Sequence, residues 1–348
     1  MSTSGCNGER RVGTAFATVI ACDGFCLIDD SFTLPTIANM KTCLIANTRS
    51  GSWDRWEPEL TRLAASTDTP ILRESKGRTL SQLLDQARQS GCQRIIVAGG
   101  DGSLSRVVNQ AINYLDEIEL ALIPTGTGND LARSIGVHDT PVENAWNWAV
   151  TRPTSAIDLL KVTNGGTTYI VNAATAGFGG IATTDVASED KQRWGAIAYW
   201  MTAFFKMASL PEYKLRLELD SEEVELSTYG LAITNGRFVG GGFPVTPTSV
   251  VNDGLLDVAV VGVLPMIDLI AVGVEFALGQ YDQPDRVTTF RSSRVKVKAD
   301  PPLPFSLDGE PAKSIEATFT VLPNALKIVH APEPPAISVS EHGDKAVV

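Results

Sequence analysis

Twice in close succession, a short apolar strand of this chain runs directly into a glycine-rich loop and then a helix. In the first unit, Ile95–Ala98 leads through Gly99–Ser103 into a segment with apolar residues at helical spacing. In the second unit, Leu120–Ile123 leads into the loop 124–133. Parallel strands need helical crossovers, and ligands bind beyond their carboxyl ends. The two units therefore predict an α/β domain with both loops facing one crevice.

The surrounding sequence supports this architecture and changes character in its second half. Strands are predicted over 42–46, 70–73, 94–98 and 120–123, with helices over 57–65, 80–90 and 104–115. This alternation favours a parallel sheet covered on both faces. After residue 156, short β-rich segments separated by turn signals predict an antiparallel sandwich or rolled sheet. These strands are expected over 157–162, 168–173, 214–219, 223–226, 229–234, 256–261, 287–297, 305–307 and 317–321.

Length and composition suggest four segments. A chain of 348 residues is long enough for two domains. We assign residues 1–40 to an N-terminal extension outside the fold, 41–155 to the α/β nucleotide-binding domain and 156–330 to the β-rich domain, with 331–348 as a flexible tail. Val19–Cys22 has the pattern of a lipoprotein cleavage site, but its apolar stretch is short, which favours the extension; Met40 is an alternative start.

Charge and cysteine usage exclude several classes of protein. The formal net charge of −11 argues against general nucleic-acid binding and against electrostatic capture by an anionic membrane. No apolar run is long enough for a transmembrane helix. The five cysteines are odd in number and form no CxxC pair, so a reducing, cytoplasmic location fits best.

The glycine loops are suited to phosphate binding. Glycine allows the backbone to approach oxygen atoms closely, and a helix N-terminus attracts negative charge. Asp101 is unusual there; it fits if a Mg²⁺ ion or water intervenes or if it orients a nucleophilic hydroxyl, and the alternative is a helix cap. Thr125, Thr127 and Arg133 offer further groups to phosphate oxygens. Neither loop has the Walker or the Rossmann pattern.

These motifs resemble a known family. Gly99–Ser103 (GGDGS) followed by Pro124–Asp130 (PTGTGND) is similar to the diacylglycerol kinase catalytic domain, whose superfamily includes bacterial soluble lipid kinases, sphingosine kinases and ceramide kinases. GGDG alone also occurs in NAD kinases. Ile45–Gly51 resembles the family's first nucleotide loop, with Thr48 where the family usually has proline. The resemblance covers about residues 41–330 and implies an NAD-kinase/diacylglycerol-kinase-like fold.

The resemblance also implies a nucleotide site. ATP, as its Mg²⁺ complex, is expected to contact both glycine loops and the first nucleotide loop. The implied residues are Asn47, Ser50, Gly51, Gly99, Gly100, Asp101, Gly102, Ser103, Thr125, Gly126, Thr127, Gly128, Asn129 and Asp130.

A second metal position is implied in the β-rich domain. Asn252–Asp257 is similar to the family's structural magnesium loop, with Asp253 as side-chain ligand and Leu255 as carbonyl donor. A further ligand position is occupied by Val250, which has no carboxylate, so that Asn252 or Asp257 would have to substitute. On residue chemistry alone, an Asn-Asp-Gly hairpin turn is an equally simple interpretation.

The acid–base candidates lie in Leu307–Pro311, which resembles the family's DGE segment. The resemblance assigns the general base to the pair Asp308 and Glu310, whose spacing of two on an extended strand would point both the same way. Which of them accepts the proton stays open. Without the family pattern, Asp308-Gly309 is more typical of a hairpin turn.

A lipid-binding region is the least determined feature. The aromatic segment Trp194–Met207 is apolar around most of a helix, which is typical of core packing; the alternative is an acyl-chain pocket or a bilayer contact. The loop Arg237–Phe243 is expected to border the same pocket.

The leading functional hypothesis is an ATP-dependent lipid kinase with peripheral, transient membrane contact. Diacylglycerol and phosphatidylglycerol are the candidate acceptors, ahead of a long-chain base. One alternative is a kinase with a soluble acceptor similar to NAD kinase, against which GTGND argues. The other is an inactive lipid or nucleotide sensor, for which only Thr48 and Val250 speak.

Overall fold

The computed structural model describes residues 40–48, 53–177, 212–265, 268, 271–272, 286–313 and 316–332. Within these ranges, fifteen strands are connected by hydrogen bonds into one sheet with a parallel and an antiparallel region. This arrangement confirms the predicted fold class.

The parallel region contains four strands and the helices that connect them. Its strands are β1 (Thr42–Asn47), β2 (Ile71–Glu74), β3 (Arg94–Gly99) and β4 (Glu119–Pro124), in the order β4-β3-β1-β2. The helices are α1 (Trp53–Ser66), α2 (Leu80–Gln89), α3 (Asp101–Ala111), α4 (Asp130–Ser134) and α5 (Val142–Thr151), with a 3-10 helix at Ile112–Glu117. Gly99 pairs with Pro124 across β3 and β4, so both glycine loops leave the same edge of the sheet.

Both faces of the parallel region are buried, as the unbroken apolar strands predict. Along β1, Cys43 and Ile45 pack in one core with the apolar faces of α2 and α3. Leu44 and Ala46 point the other way, into a core shared with α1 and α5. This alternation follows from the two-residue period of a strand. It fixes the sheet between two helical layers and leaves its loop-bearing edge open.

The antiparallel region is built on two long strands. Its strands are β5 (Thr154–Thr163), β6 (Thr167–Ile170), β7 (Ala173–Gly177), β8 (Tyr213–Glu218), β9 (Glu223–Thr234), β10 (Leu256–Gly262), β11 (Val287–Ser292), β12 (Arg294–Asp300), β13 (Pro304–Leu307), β14 (Glu310–Lys313) and β15 (Glu316–Val329). The first half of β9 pairs with β8, and its second half pairs with both β7 and β10. β15 pairs with β12 and β5 and also reaches β4, where Ile328 lies opposite Leu120.

Several predicted boundaries were wrong for identifiable reasons. The helix predicted over 104–115 begins at Asp101 and changes to the 3-10 helix after Ala111. The single strand predicted over 168–173 is two strands, because the backbone at Val171 and Asn172 bonds to a carboxylate instead of a partner strand. The strand predicted over 287–297 is also two, separated at Ser293.

Two further boundaries follow from pairing between distant segments. The strands predicted over 223–226 and 229–234 are the continuous β9, and the one over 317–321 extends to Val329 as β15. The local hydropathy pattern does not predict how far these strands continue, because their additional residues pair with strands that are distant in the sequence.

Some predictions fall on residues that the structure does not describe. The extension up to residue 39, the aromatic segment 194–207 and the tail from residue 333 lie outside the described residues. Within 266–278, only positions 268, 271 and 272 are described, and these are helical. Cys43 and Cys92, the cysteines within the described ranges, are buried free thiols. No helix among the described residues is long and apolar enough to cross a membrane.

Candidate active site

The two glycine loops touch through their backbones. A Cβ placed on Gly126 would lie 2.6 Å from the Cα of Gly100 and 2.8 Å from Oδ1 of Asn129. Since real Cβ atoms do not approach other atoms this closely, only glycine fits at position 126. Asn129 has a left-handed backbone with φ of 54°, and its side-chain amide donates to the carbonyl of Gly126 at 2.8 Å. The loops after β3 and β4 therefore form one compact edge.

Asp101 ties the first loop to the helix that follows the second. Its carboxylate accepts hydrogen bonds from the backbone N–H of Asp130 at 2.8 Å and of Leu131 at 3.0 Å. Burial, together with the neighbouring charge of Asp130, raises the pKa of Asp101 to about 7, although these hydrogen bonds act in the opposite direction. The cap interpretation is thus correct in geometry, but the helix capped is α4 and not α3, which begins with Asp101. A carboxyl group with such a pKa can exchange a proton near neutral pH.

Asp130 connects the loops to the antiparallel region. Its carboxylate accepts hydrogen bonds from the backbone N–H groups of Gly241 and Gly242, the latter at 2.7 Å. Burial raises its pKa, and these two hydrogen bonds together with the charge of Arg133 oppose the shift. The family resemblance implies that Asp130 contacts the nucleotide. In the structure its carboxylate is occupied with holding the loop 237–243.

Asp308 has a different environment from the one expected. It is not on an extended strand beside Glu310: with φ of 47° it forms, together with Gly309 at 91°, the tight turn between β13 and β14. Positive φ at both central residues is the geometry of a two-residue hairpin turn. The premise that Asp308 and Glu310 point the same way on a strand was therefore wrong, and Glu310 is exposed at the start of β14.

The carboxylate of Asp308 is bound by the backbone of the short segment between β6 and β7. It accepts hydrogen bonds from the backbone N–H groups of Val171 at 2.7 Å, Asn172 at 3.0 Å and Ala173 at 2.9 Å. Burial raises its pKa to about 6 against the effect of these donors. Its charge is also one of those that raise the pKa of Asp101. The two carboxylates thus interact although they come from opposite halves of the chain.

Two cavities meet at Gly102. The first has a volume of about 380 Å³, and three aspartates line it, Asp101, Asp130 and Asp308. The second has a volume of about 470 Å³ and is lined by Glu74, Arg106 and Glu310 among others. Gly102 borders both, and a Cβ placed on it would lie 3.6 Å from the carbonyl oxygen of Asp308.

The predicted nucleotide residues divide into three groups. Those that line the first cavity are Gly100, Asp101, Gly102, Thr127, Gly128, Asn129 and Asp130. Those that are described but line neither of these two cavities are Asn47, Gly99, Ser103, Thr125 and Gly126. Ser50 and Gly51 lie outside the described residues. The loop 237–243, expected to border a pocket, contributes Val239, Gly240 and Gly241 to the first cavity.

The residues of the predicted metal turn do not fit a magnesium ion. One oxygen of Asp253 accepts the backbone N–H of Leu255 at 3.0 Å, and the other contacts the guanidinium of Arg291. Val250 is 41% exposed and has no ligand atom in its side chain. The described residues contain no group of three acidic, histidine or cysteine side chains placed to hold a metal ion. Mg²⁺ requires several oxygen ligands in octahedral geometry, and a guanidinium beside the same carboxylate repels it.

Several cavity residues in both regions were not predicted from the sequence. Asn172, Thr175 and Ser306 of the antiparallel region line the first cavity. Glu74 and Arg106 of the parallel region, which form an ion pair at 2.8 Å, line the second. No local motif marks these positions, since contacts between elements far apart in the chain bring them to the site. A usable signal existed only at Thr79, where Thr-Leu-Ser-Gln forms a capping box at the start of α2 beside the second cavity.

Comparison with known families agrees with this geometry. Residues 41–162 match the diacylglycerol kinase catalytic domain, and residues 172–330 match the YegS C-terminal NAD kinase beta sandwich-like domain. The chain therefore has the two-part architecture of a diacylglycerol-kinase-like protein.

Similar proteins identify a more specific family within the diacylglycerol-kinase-like proteins. A protein of Alcanivorax borkumensis named "Probable lipid kinase YegS-like" is 34% identical over 261 residues, which is 73% of this chain and 84% of that protein. One of the same name from Pseudomonas fluorescens is 32% identical, over 78% of this chain and 88% of that protein. The chain belongs to this YegS-like family of bacterial proteins.

Solved structures share the fold at lower identity. A diacylglycerol kinase from Bacillus anthracis superimposes with a TM-score of 0.62 at 19% identity, covering 84% of this chain and 97% of that one. A second chain from the same organism gives a TM-score of 0.69 at 22% identity, covering 84% of this chain and 95% of that one.

Proposed function

We propose that this protein is an ATP-dependent lipid kinase that transfers the γ-phosphate of ATP to the hydroxyl group of a membrane lipid such as diacylglycerol or phosphatidylglycerol. The observation that carries the proposal is that Gly102 borders both cavities and that Asp101 and Asp308 line the first of them. Phosphoryl transfer between two substrates needs such a shared boundary, with donor and acceptor approaching it from opposite sides. The names of the relatives support a lipid as the acceptor.

The charges that line the two cavities support a different substrate for each. The first cavity is lined by three aspartates and, among the described residues, by no lysine or arginine. A triphosphate would be repelled there, whereas an alcohol would not. The second cavity is lined by the guanidinium of Arg106, which also pairs with Glu74, and this guanidinium can contact phosphate oxygens. The N-terminal turn of α3 adjoins both cavities and favours negative charge in each. We therefore assign ATP, as its Mg²⁺ complex, to the second cavity and the lipid hydroxyl to the first.

Asp101 is the better placed of the two candidate bases. Its carboxylate accepts two backbone hydrogen bonds and keeps room for a third donor, whereas three backbone N–H groups already surround the carboxylate of Asp308. Its pKa near 7 also suits a general base at neutral pH. We assign proton acceptance to Asp101, and to Asp308 the role of keeping that carboxylate basic through its charge.

The proposed phosphoryl transfer takes place in one step. The lipid oxygen forms a bond to the γ-phosphorus while the bond from that phosphorus to the β–γ bridging oxygen breaks. The proton of the hydroxyl passes to the Asp101 carboxylate, and ADP leaves from the second cavity. Mg²⁺ bound to ATP supplies charge neutralisation on the phosphates.

The test is transfer of labelled γ-phosphate from ATP to lipids in mixed micelles with Mg²⁺. Diacylglycerol, phosphatidylglycerol and a long-chain base are offered separately, and NAD is offered in parallel. Asp101→Asn should lower kcat by about 10²–10⁴-fold, since a general base is lost. Asp85→Asn, which removes an exposed aspartate of α2, is the matched control and should leave kcat unchanged.

Two outcomes would contradict the proposal. Labelling of NAD with no lipid product would indicate a soluble-acceptor kinase. Binding of ATP without transfer to any acceptor would indicate a sensor that retains the fold.

A further inference from the structure

The guanidinium of Arg291 lies between two carboxylates of the segment 250–257, where the sequence predicted a magnesium ion. Its guanidinium contacts the carboxylate of Asp253 and, through Nε at 3.1 Å, the carboxylate of Asp257. Asp257 is directly opposite Arg291 in the antiparallel pair of β10 and β11. This cross-strand position is set by the register of the sheet, so that the arginine is delivered to both carboxylates by the fold itself.

The turn held by Arg291 is connected to a buried aspartate. The backbone N–H of Gly254 donates to one carboxylate oxygen of Asp158 at 2.7 Å, and the N–H of Asn324 donates to the other at 2.7 Å. The N–H of Asp158 donates in turn to the carbonyl of Val251 at 2.7 Å. Asp158 is completely buried, so these hydrogen bonds are costly to break.

From Asp158 the connection continues to the active site. The side-chain amide of Asn235 donates to the carbonyls of Asp158 at 2.9 Å and Val171 at 3.1 Å, and its backbone N–H donates to the carbonyl of Asn172 at 2.8 Å. The N–H groups of Val171 and Asn172 hold the carboxylate of Asp308. Asn172 and Asn235 are 3% and 1% exposed, so this network is shielded from water.

We propose that the Arg291 guanidinium serves as a built-in cation in place of a bound divalent ion, and that it is a positioning residue for Asp308 through Asp158, Asn235 and Asn172. A guanidinium bridging two carboxylates satisfies the same charge as a metal ion, with fixed geometry and no dependence on ion concentration. The turn in this chain therefore needs no Mg²⁺.

The first arm of the test measures unfolding of the nucleotide-free, metal-stripped full chain. In wild type, the Tm should stay within about 1 °C when MgCl₂ is added at constant ionic strength, because no site for the ion exists in the turn. The double substitution Val250→Asp and Arg291→Ala removes the guanidinium and adds a third carboxylate. Its Tm should rise by several degrees, about 4 °C or more, with millimolar Mg²⁺.

The second arm measures turnover and rests on the proposed kinase reaction. Arg291→Ala should lower kcat about tenfold at saturating MgATP with little change in the KM for ATP, since it loosens Asp308 but leaves the second cavity intact. Arg216→Ala is the matched control, because Arg216 forms a comparable exposed pair with Glu223 outside this network. In the double variant, Mg²⁺ in excess of ATP should restore kcat.

The arms separate failure of this proposal from failure of the proposed function. A rise in the wild-type Tm with Mg²⁺ as large as that of the double variant would overturn the built-in cation, whatever the enzyme's activity. Equal kcat values for Arg291→Ala and Arg216→Ala would overturn the positioning role. If Arg291→Ala does not fold, Arg291→Lys keeps the charge but loses the bridge, and it should show the same loss of kcat at an unchanged KM.

Discussion

At the scale of single residues, three aspartates that line one cavity are distinguished by the groups that donate to them. Asp101 accepts from the start of α4, Asp130 from Gly241 and Gly242, and Asp308 from the segment between β6 and β7. Burial raises the pKa of each, and the charges of Asp130 and Asp308 raise the pKa of Asp101 further. Their protons are therefore coupled, and an activity profile reports the group and not one residue.

The coupling predicts a change in the pH dependence of kcat/KM, which reports the free enzyme. In wild type, kcat/KM should rise with pH as Asp101 loses its proton, with an apparent pKa near 7. Asp308→Asn removes a neighbouring negative charge, so the pKa of Asp101 should fall and the rising limb should move to lower pH. The measurement is kcat/KM for the lipid against pH from 5 to 9, a range of about two units around that pKa.

Glu310→Gln is the control for this experiment. Glu310 is exposed on β14 and lines the second cavity, so loss of its negative charge should lower the KM for ATP without moving the rising limb. Disappearance of the limb in Asp308→Asn, with its retention in Asp101→Asn, would show that Asp308 is the base.

At the scale of elements, the loops after β3 and β4 act as one unit because their backbones are in contact at Gly100 and Gly126. The hairpin of β13 and β14 adds to this unit, because its Asp308-Gly309 turn brings the backbone carbonyl of Asp308 next to Gly102. Residue chemistry predicted a hairpin turn at Asp308-Gly309, and the family pattern predicted a functional carboxylate there; both predictions concern the same two residues. The tight turn, with its positive φ values, directs the side chain of Asp308 toward the segment between β6 and β7.

The contact between the loops predicts the effect of one added methyl group. In Gly126→Ala the new Cβ would lie 2.6 Å from backbone, which cannot move aside as a flexible side chain can. We expect the free energy of unfolding to fall by about 1–3 kcal/mol, as for other overpacked positions, and kcat to fall with it.

Urea denaturation and turnover measure these two effects. Gly166→Ala is the matched control, because a Cβ at position 166, in the turn between β5 and β6, meets nothing within 4 Å. A Gly126→Ala variant as stable and active as Gly166→Ala would refute the close approach of the loops.

At the scale of the whole molecule, the raised carboxyl pKa values predict how stability depends on pH. The pKa of Asp308 is raised from 3.8 to about 6, so between these values the folded state binds more protons than the unfolded state. The free energy of unfolding contributed by this group must then fall as pH rises through this window, and level off above pH 6. Asp101, with a pKa of about 7, acts in the same direction over a wider range.

Asp308→Asn should reduce this decrease of the unfolding free energy with rising pH. The difference in unfolding free energy between pH 4 and pH 7 should become smaller by on the order of 1–2 kcal/mol relative to wild type. Urea denaturation at a series of pH values measures it, with Asp85→Asn as the control for loss of an exposed aspartate. An unchanged difference would mean that Asp308 titrates alike in both states.

Across the whole molecule, local pattern and long-range pairing determined different things. The sequence alone determined the parallel region, the two glycine loops and their common edge, because hydrophobic periodicity and glycine content act over a few residues. Only the tertiary structure decided that Asp308 is bound by the segment between β6 and β7 and that Asp101 caps α4. The same holds for the position of Arg291 opposite Asp257. These contacts join residues far apart in the chain, and the register of the sheet fixes them. No local composition specifies that register, because it results from packing both regions against β15.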